Sequence, residues 1–343
     1  MATIDKTYQD LLVKIFADGY KYDDPNRDGV QRIEIMDYTI EHDFNTGGFP
    51  AITLKKLAWK SVVGELIWFL RGQTTTHELQ KYGVNIWNSD GYKFYRRQMA
   101  EKFGIPPLDE ETWLSRVKTG EVKGSLGPIY GAQWRDFNGV DQLYNLITEL
   151  RENPMSTQLI VSSWNASDLP KMALPPCHYE FQIVTRPLKY VERLANYTGP
   201  NSTVDLMVTE DQMDEFDTPT HGIKLIWSQR SVDTFLGLPF NIASYAALCY
   251  LIARLTNTVP LGIKGNLKNV HLYQNSFKEA HDLTKISAHK YEASQLYVDV
   301  PTLHQSTDLD KMLHDLLKPH SFRLEGYESY PAVSVEMLPR DSD

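Results

Sequence analysis

The chain has 343 residues, with 35 basic against 44 acidic side chains and a formal charge of −9. An apolar fraction of 42%, with 19 Tyr, 13 Phe and 7 Trp, is enough for a sizeable core and excludes a disordered chain. Two cysteines exclude a disulfide scaffold and a multi-cysteine zinc site, and the acidic balance argues against a protein that coats nucleic acid. No run approaches 18 uninterrupted apolar residues, and the first ten residues lack the basic and apolar regions of a secretion signal. A reducing, cytoplasmic setting without a membrane is the expectation.

Tyr8, Leu11, Leu12, Ile15 and Phe16 fall on one face of a helix that Gly19 can close. Residues 59–70 are apolar almost all round, which predicts a buried helix, yet Glu65 lies inside the run. A lone buried carboxylate is costly unless it is hydrogen-bonded or useful. Residues 88–126 read as a polar insertion, with Arg96, Arg97 and a Pro106-Pro107 break. Leu143, Leu146, Ile147 and Leu150 write another amphipathic helix, ending before Asn153-Pro154. Strand-like runs follow at 158–163, 179–185, 223–228 and 269–273, and a buried helix at 240–255. Residues 186–222 read as a second insertion. Its acidic run, Glu210, Asp211, Asp214, Glu215 and Asp217, lacks the ligand spacing of a calcium loop and reads as a solvated loop. Asn196-Tyr197-Thr198 and Asn201-Ser202-Thr203 match the glycosylation pattern, as chance matches in a chain without a leader. Strands and helices alternate without a regular βαβ repeat, so the expected fold is α+β around a large mixed sheet, as one domain over 1–343.

Two constellations carry chemistry. Cys177 stands in MALPPCH at 172–178, where two prolines fix the approach of the backbone. A thiol becomes a nucleophile only when neighbours stabilise its anion; taken alone, an inert structural cysteine is an equal reading. The second is the stretch 229–241, which packs Gln229, Arg230, Ser231, Asp233 and Asn241 between a strand and a helix. A guanidinium can hold a phosphate and depress a thiol pKa. An Asn amide can read a carbonyl and an adjacent ring N–H together, as on the edge of uracil. An Arg–Asp ion pair with a helix cap remains the alternative at this point.

Together these strings resemble the thymidylate synthase family. LPPCH at 174–178 looks like its nucleophile motif, and QRSVDTFLGLPFNIASY at 229–245 like its substrate-binding motif. Glu65 in ELIWFL, Ile86-Trp87, GPIYG at 127–131 before Gln133-Trp134-Arg135, and His271-Leu272-Tyr273 match in the family's order, from about residue 5 to 338. The resemblance implies a sheet-to-sheet homodimer that methylates dUMP at C5. Arg230, Ser231 and Arg27 would hold the 5′-phosphate, His271 and Tyr273 the 3′-hydroxyl. Asn241, with Gln229 beside it, would select uracil. Cys177 would attack C6, Glu65 would relay protons on the O4 side, and Tyr130 would help remove the C5 proton. The resemblance implies 5,10-methylenetetrahydrofolate as co-substrate and no metal. Its wall would be Asp233, Ile86, Trp87, Leu236, Gly237 and Phe240, with Lys55 at its tail and Leu338 in a closing C-terminal segment. Individually, Trp87 reads as core, Lys55 as a solvated charge, and His178 and His281 as structural hydrogen-bonders.

Three departures stand out. Thr157 and Gln158 occupy places where the family carries an arginine pair that serves the partner's phosphate site. Asp90 stands where a second tryptophan follows Trp87, and Leu338 is followed by a polar tail at 339–343. They define two alternatives: a hydroxymethylase on the same fold, in which water arrives before hydride, and a nucleotide binder without turnover. Arg135, Arg151 and the arginines of the first insertion are candidate stand-ins for the missing pair, and linear order does not choose among them.

Overall fold

The computed structural model describes residues 3–25, 27, 29–199, 208–303, 308–335 and 338. Asn26 and Asp28 of the Arg27 loop, the 201–203 acceptor, Met337 and the 339–343 tail lie outside them.

Helix α1 (Ile4–Asp18) starts at Thr3, whose hydroxyl accepts from Lys6 N–H, and stops at Gly19. It leads into β1 (Tyr20–Asp23) and β2 (Gln31–Asp43). β2 carries none of the strong apolar runs that mark strands in the sequence, because only one of its faces is buried: Ile35, Ile40 and His42 point inward. After the short α2 (Phe44–Gly47) comes α3 (Trp59–Leu70), buried over most of its length. Helices α4 (Thr76–Gln80), α5 (Asn88–Gln98), α6 (Glu110–Thr119), α7 (Tyr130–Arg135) and α8 (Gln142–Glu152) follow. Then come β3 (Ile160–Ser162), β4 (His178–Pro187), α9 (Tyr190–Thr198) and α10 (Glu210–Glu215). The chain continues through β5 (His221–Gln229), β6 (Val232–Asp233), α11 (Leu238–Thr256) and β7 (Val259–Tyr273). It closes with α12 (Phe277–Leu283) and a two-stranded antiparallel sheet of β8 (Gln295–Val298) and β9 (Phe322–Glu325).

Among the described residues the main sheet has the order β1-β2-β7-β5-β4-β3, with β6 also on β7. β5 and β7 run parallel and the other neighbours on this path antiparallel, so the sheet is mixed and the fold α+β. β7 begins ten residues before the apolar run at 269–273, since Gly262, Gly265 and two lysines dilute its pattern. A Cβ at Gly265 would come within 2.4 Å of the Trp227 indole, so the glycine makes the room that ring occupies. β5 and β6 are one strand interrupted at Arg230-Ser231, both halves pairing parallel with β7.

Helix α11 packs on β5, β7 and α3. It is the one described helix long and apolar enough to cross a membrane, and most of it is buried inside the protein. Cys249 lies within it, fully buried, with its thiol pushed up to about 12 by burial.

Both polar stretches carry helices among their described residues. The first is a helical pair, α5 and α6, that buries Phe94, Trp113 and Val117. In the second, the acidic run is not a loop. Thr209 and Gln212 form a reciprocal capping box that starts α10, Met213 is buried beneath it, and buried Arg193 pairs with Asp214 and, at 3.8 Å, Glu210. Thr209-x-x-Gln212 is a capping-box signature, and it starts a helix here despite the run of charge.

Candidate active site

The approach to Cys177 is set where two loops cross. Gly127, at φ +72°, lies so close to the Lys171 carbonyl that a Cβ there would stand 2.0 Å from its oxygen. Ala173 N–H donates to the Leu126 carbonyl at 2.8 Å, joining the same two segments. From there Pro175-Pro176 runs to Cys177, just before β4.

Cys177 is then pinned on both sides. Its N–H donates to the Tyr130 hydroxyl at 2.8 Å, and its carbonyl accepts from Arg230 N–H at 2.8 Å. The Arg230 side chain reaches back along the same segment, Nε donating to the Pro176 carbonyl and Nη2 to the Pro175 carbonyl, both at 2.8 Å. The strand break at Arg230-Ser231 therefore faces the cysteine directly. Cys177 is half-buried, in contrast to the enclosed Cys249.

Behind the cysteine lies an aromatic floor. Tyr130 stacks on His178 with ring centroids 4.3 Å apart, and Phe69 and Trp87 border it at 4.8 and 6.0 Å. His178 Nδ1 is 2.7 Å from the Tyr245 hydroxyl, and burial pulls its pKa down to about 3, which keeps the ring neutral. Burial also pushes the Tyr130 phenol well above its ordinary value. Both histidine and phenol are thus uncharged hydrogen-bonding groups at neutral pH.

Glu65 projects from α3 into this region. Trp87 Nε1 donates to its Oε1 at 2.6 Å. Burial raises the carboxyl pKa to about 7, with the tryptophan bond opposing. Trp87 is mostly buried, as its core reading expects, and it also serves this carboxyl. Asn241 sits in the first turn of α11. Trp227 Nε1 donates to Gln229 Oε1 at 3.4 Å, and Gln229 Nε2 donates to Asn241 Oδ1 at 3.1 Å. Because indole N–H is only a donor, this chain sets the direction of both amides. It leaves the Asn241 NH2 free to donate outward.

Asp233 lies across from His271 in the β6–β7 ladder. Its Oδ1 accepts from the N–H groups of Phe235 and Leu236 at 3.0 and 2.9 Å. Lys55 is not solvated: it is 8% exposed, with Nζ 4.4 Å from the Phe235 ring centroid. Burial lowers its pKa to about 8, and Asp233 opposes that shift. The run at 51–57 packs inward at every position except Lys56, which takes the solvent side instead.

His271 is buried, its Nδ1 2.7 Å from the Asn269 carbonyl, and burial lowers its pKa. Tyr273 meets Arg27, whose Nη1 donates to the phenol oxygen at 2.6 Å and whose guanidinium lies 4.3 Å from the ring centroid. Asp24 anchors Arg27 at 3.3 Å, and Arg27 Nε donates to the Leu338 carbonyl at 3.4 Å. A small cavity is lined by Arg27, Asp233, Leu236, Tyr273 and Leu338. Ile86, Leu236 and Phe240 are partly buried against the core.

The structure thus gathers two groups. Cys177, Arg230, Tyr130, Trp87 and Glu65 adjoin one another, and Arg27, Tyr273, Leu338 and Asp233 line the small cavity. Sequence reasoning missed Tyr245, Phe69, Trp227 and Asp24. Tyr245 was within reach, since it follows Asn241 by one helical turn. A larger cleft of about 680 Å³ lies elsewhere, around Arg151, His221 and Asn257, and holds none of these residues. Among the described residues no group of three His, Cys, Asp or Glu is placed to hold a metal ion.

Comparison with known proteins gives a consistent answer. A model of the thymidylate synthase family matches residues 6–339. The probable thymidylate synthase of Escherichia phage T5 is 35% identical over 95% of this chain and 98% of its own length. The thymidylate synthase of Mycoplasma genitalium is 36% identical over 96% of this chain and 98% of its own. The crystal structure of thymidylate synthase from T4 phage is similar with a TM-score of 0.71 at 32% identity, covering 97% of this chain and 100% of that one.

Proposed function

Since the chain belongs to the thymidylate synthase family and is an enzyme of that methyltransferase type, we propose that it converts dUMP to dTMP by reductive methylation at C5. One observation carries the reading: a half-buried cysteine is hydrogen-bonded through its own backbone to both a guanidinium-bearing strand break and a neutral phenol.

Cys177 Sγ, as thiolate, adds to C6 of the uracil ring. The electron pair of the C5–C6 double bond moves toward O4, making C5 a carbon nucleophile. Arg230, with Nη1 unbonded among the described residues, and Ser231 bind the phosphate. The Asn241 amide donates to O4 and accepts from N3–H; an aspartate there would suit the cytosine edge instead. Glu65, half-protonated near pH 7, holds a proton on the O4 side. Tyr130, whose oxygen already accepts from Cys177 N–H, assists removal of the C5 proton. Expulsion of the thiolate ends the cycle.

The residues present fit a folate. Asp233 Oδ1 is occupied by backbone donors, leaving Oδ2 for ring N–H groups, and Trp87, Leu236 and Phe240 offer apolar surface. A Cβ at Gly237 would stand 3.2 Å from the Asp233 carbonyl and 3.8 Å from Asn241 Oδ1, so glycine keeps this corner open. When bound, 5,10-methylenetetrahydrofolate supplies the one-carbon unit and the hydride. Lys55, buried beside Asp233, carries a charge suited to the folate tail. The outer face of the sheet leaves Ile160 and Val184 exposed, as a surface through which two copies would pair.

The test is to incubate the protein with dUMP and methylenetetrahydrofolate and to identify both products by mass spectrometry. The expected pair is dTMP with dihydrofolate, abolished in Cys177→Ser while nucleotide binding persists. Hydroxymethyl-dUMP with tetrahydrofolate would assign the hydroxymethylase instead; no product from folded protein would leave a nucleotide binder.

A further inference from the structure

We propose that Lys268 is a substrate-binding residue that reads the nucleotide phosphate, supplying charge that Thr157 and Gln158 lack; this rests on the dUMP reading of the Cys177 site. Thr157 and Gln158 are exposed and uncharged. The candidate stand-ins named from the sequence are each engaged with other groups or lie elsewhere. Arg135 is held by Asp141 at 2.8 Å, by Asp310 and by the Leu70 carbonyl. Arg151 lines the remote cleft, Arg97 donates to the Met172 carbonyl at 3.1 Å, Arg96 lies 5.9 Å from the Tyr92 ring centroid, and Arg116 is 3.9 Å from Glu121. Arg230 has Nε and Nη2 tied to Pro176 and Pro175. Arg27, the other cation expected at the phosphate, is bonded to Asp24, the Tyr273 hydroxyl and the Leu338 carbonyl, and one partly engaged guanidinium is a poor match for a dianion.

Lys268 stands on β7 at the level of the strand break. Leu267 pairs with Gln229 and Val270 with Val232, so Lys268 and Asn269 flank Arg230 and Ser231. Asn269, at φ +49°, donates its amide to the Arg230 carbonyl at 2.8 Å and fixes that level. The Lys268 ammonium donates to the Tyr179 hydroxyl at 2.8 Å and lies 5.1 Å from that ring's centroid. Tyr179 meets Trp164 edge-on at 6.4 Å, and Trp164 lies 5.7 Å from the Arg230 guanidinium. Two cations are therefore set on a continuous aromatic ledge two residues from the cysteine. Neither forms an ion pair among the described residues, and Lys268 is exposed. On a chain of charge −9, such an unneutralised pair draws an anion to this spot.

Binding of dUMP and of deoxyuridine, measured by calorimetry on the full chain, tests this. Lys268→Met is expected to weaken dUMP binding about tenfold, equivalent to about 1.4 kcal/mol. It should leave deoxyuridine unaffected and raise KM with kcat nearly unchanged, whereas Lys268→Arg retains affinity. An unchanged unfolding midpoint verifies that the variant folds. Equal dUMP affinity in wild type and Lys268→Met overturns the proposal, as does an equal loss for both ligands. A wild type that binds no dUMP overturns the reading of the site itself, a result separate from either.

Discussion

Trp87 donates its indole N–H to the carboxyl of Glu65 at 2.6 Å, across the seam between α3 and the start of α5. The bond holds in place an acid that burial has moved to a pKa of about 7, against 4.5 for the free side chain. Between these values the native state keeps a proton that the unfolded chain releases. Stability therefore falls as pH rises through that window, by about 3 kcal/mol. Glu65→Gln is expected to raise the urea midpoint more at pH 8 than at pH 5, and to lower turnover about a hundredfold or more. An equal gain at both pH values would remove Glu65 as the titrating group.

His178 gives the opposite slope. Its folded pKa of about 3 lies below the ordinary 6.5, because the buried ring excludes the imidazolium. Its contribution is complete above pH 6.5 and is lost as pH falls toward 3, on the order of 5 kcal/mol across the window. His178→Gln should unfold more readily at pH 7 yet show a flatter acid limb in urea titrations between pH 6.5 and 4. Wild-type-like steepness in the variant would assign that limb elsewhere.

Tyr130→Phe keeps the ring stack and deletes the acceptor of Cys177 N–H. The orphaned donor is expected to cost about 1–3 kcal/mol. Turnover should drop further than nucleotide affinity, because the lost bond positions the nucleophile. Matched urea melts and dUMP titrations read both effects; equal losses would reduce Tyr130 to packing.

Asn241→Asp is expected to shift the preference from dUMP toward dCMP, since a carboxyl can pair with the cytosine amino group. Competition between the two nucleotides measures it. An unaltered ratio would show that the Trp227–Gln229–Asn241 chain does not read the base.

Much of this architecture is legible in the sequence. Helices at 59–70 and 240–255 stand out because they are apolar all round, and LPPCH and the 229–245 string point to one another as a site. Exposure of one face hides β2, and glycines in β7 dilute its pattern. Lys55 could not be placed because burial of a lysine against Phe235 depends on a neighbour 180 residues away. The same limit applies to Lys268: its ammonium meets Tyr179 only through a sheet whose register no local pattern states.

The crossing at Gly127 gives the cysteine a remote weakness. A side chain at that position would wedge apart the Lys171–Met172 backbone, and the stiff proline pair would carry the displacement five residues on to the sulfur. A lesion there could silence the enzyme while every group that touches the nucleotide stayed intact.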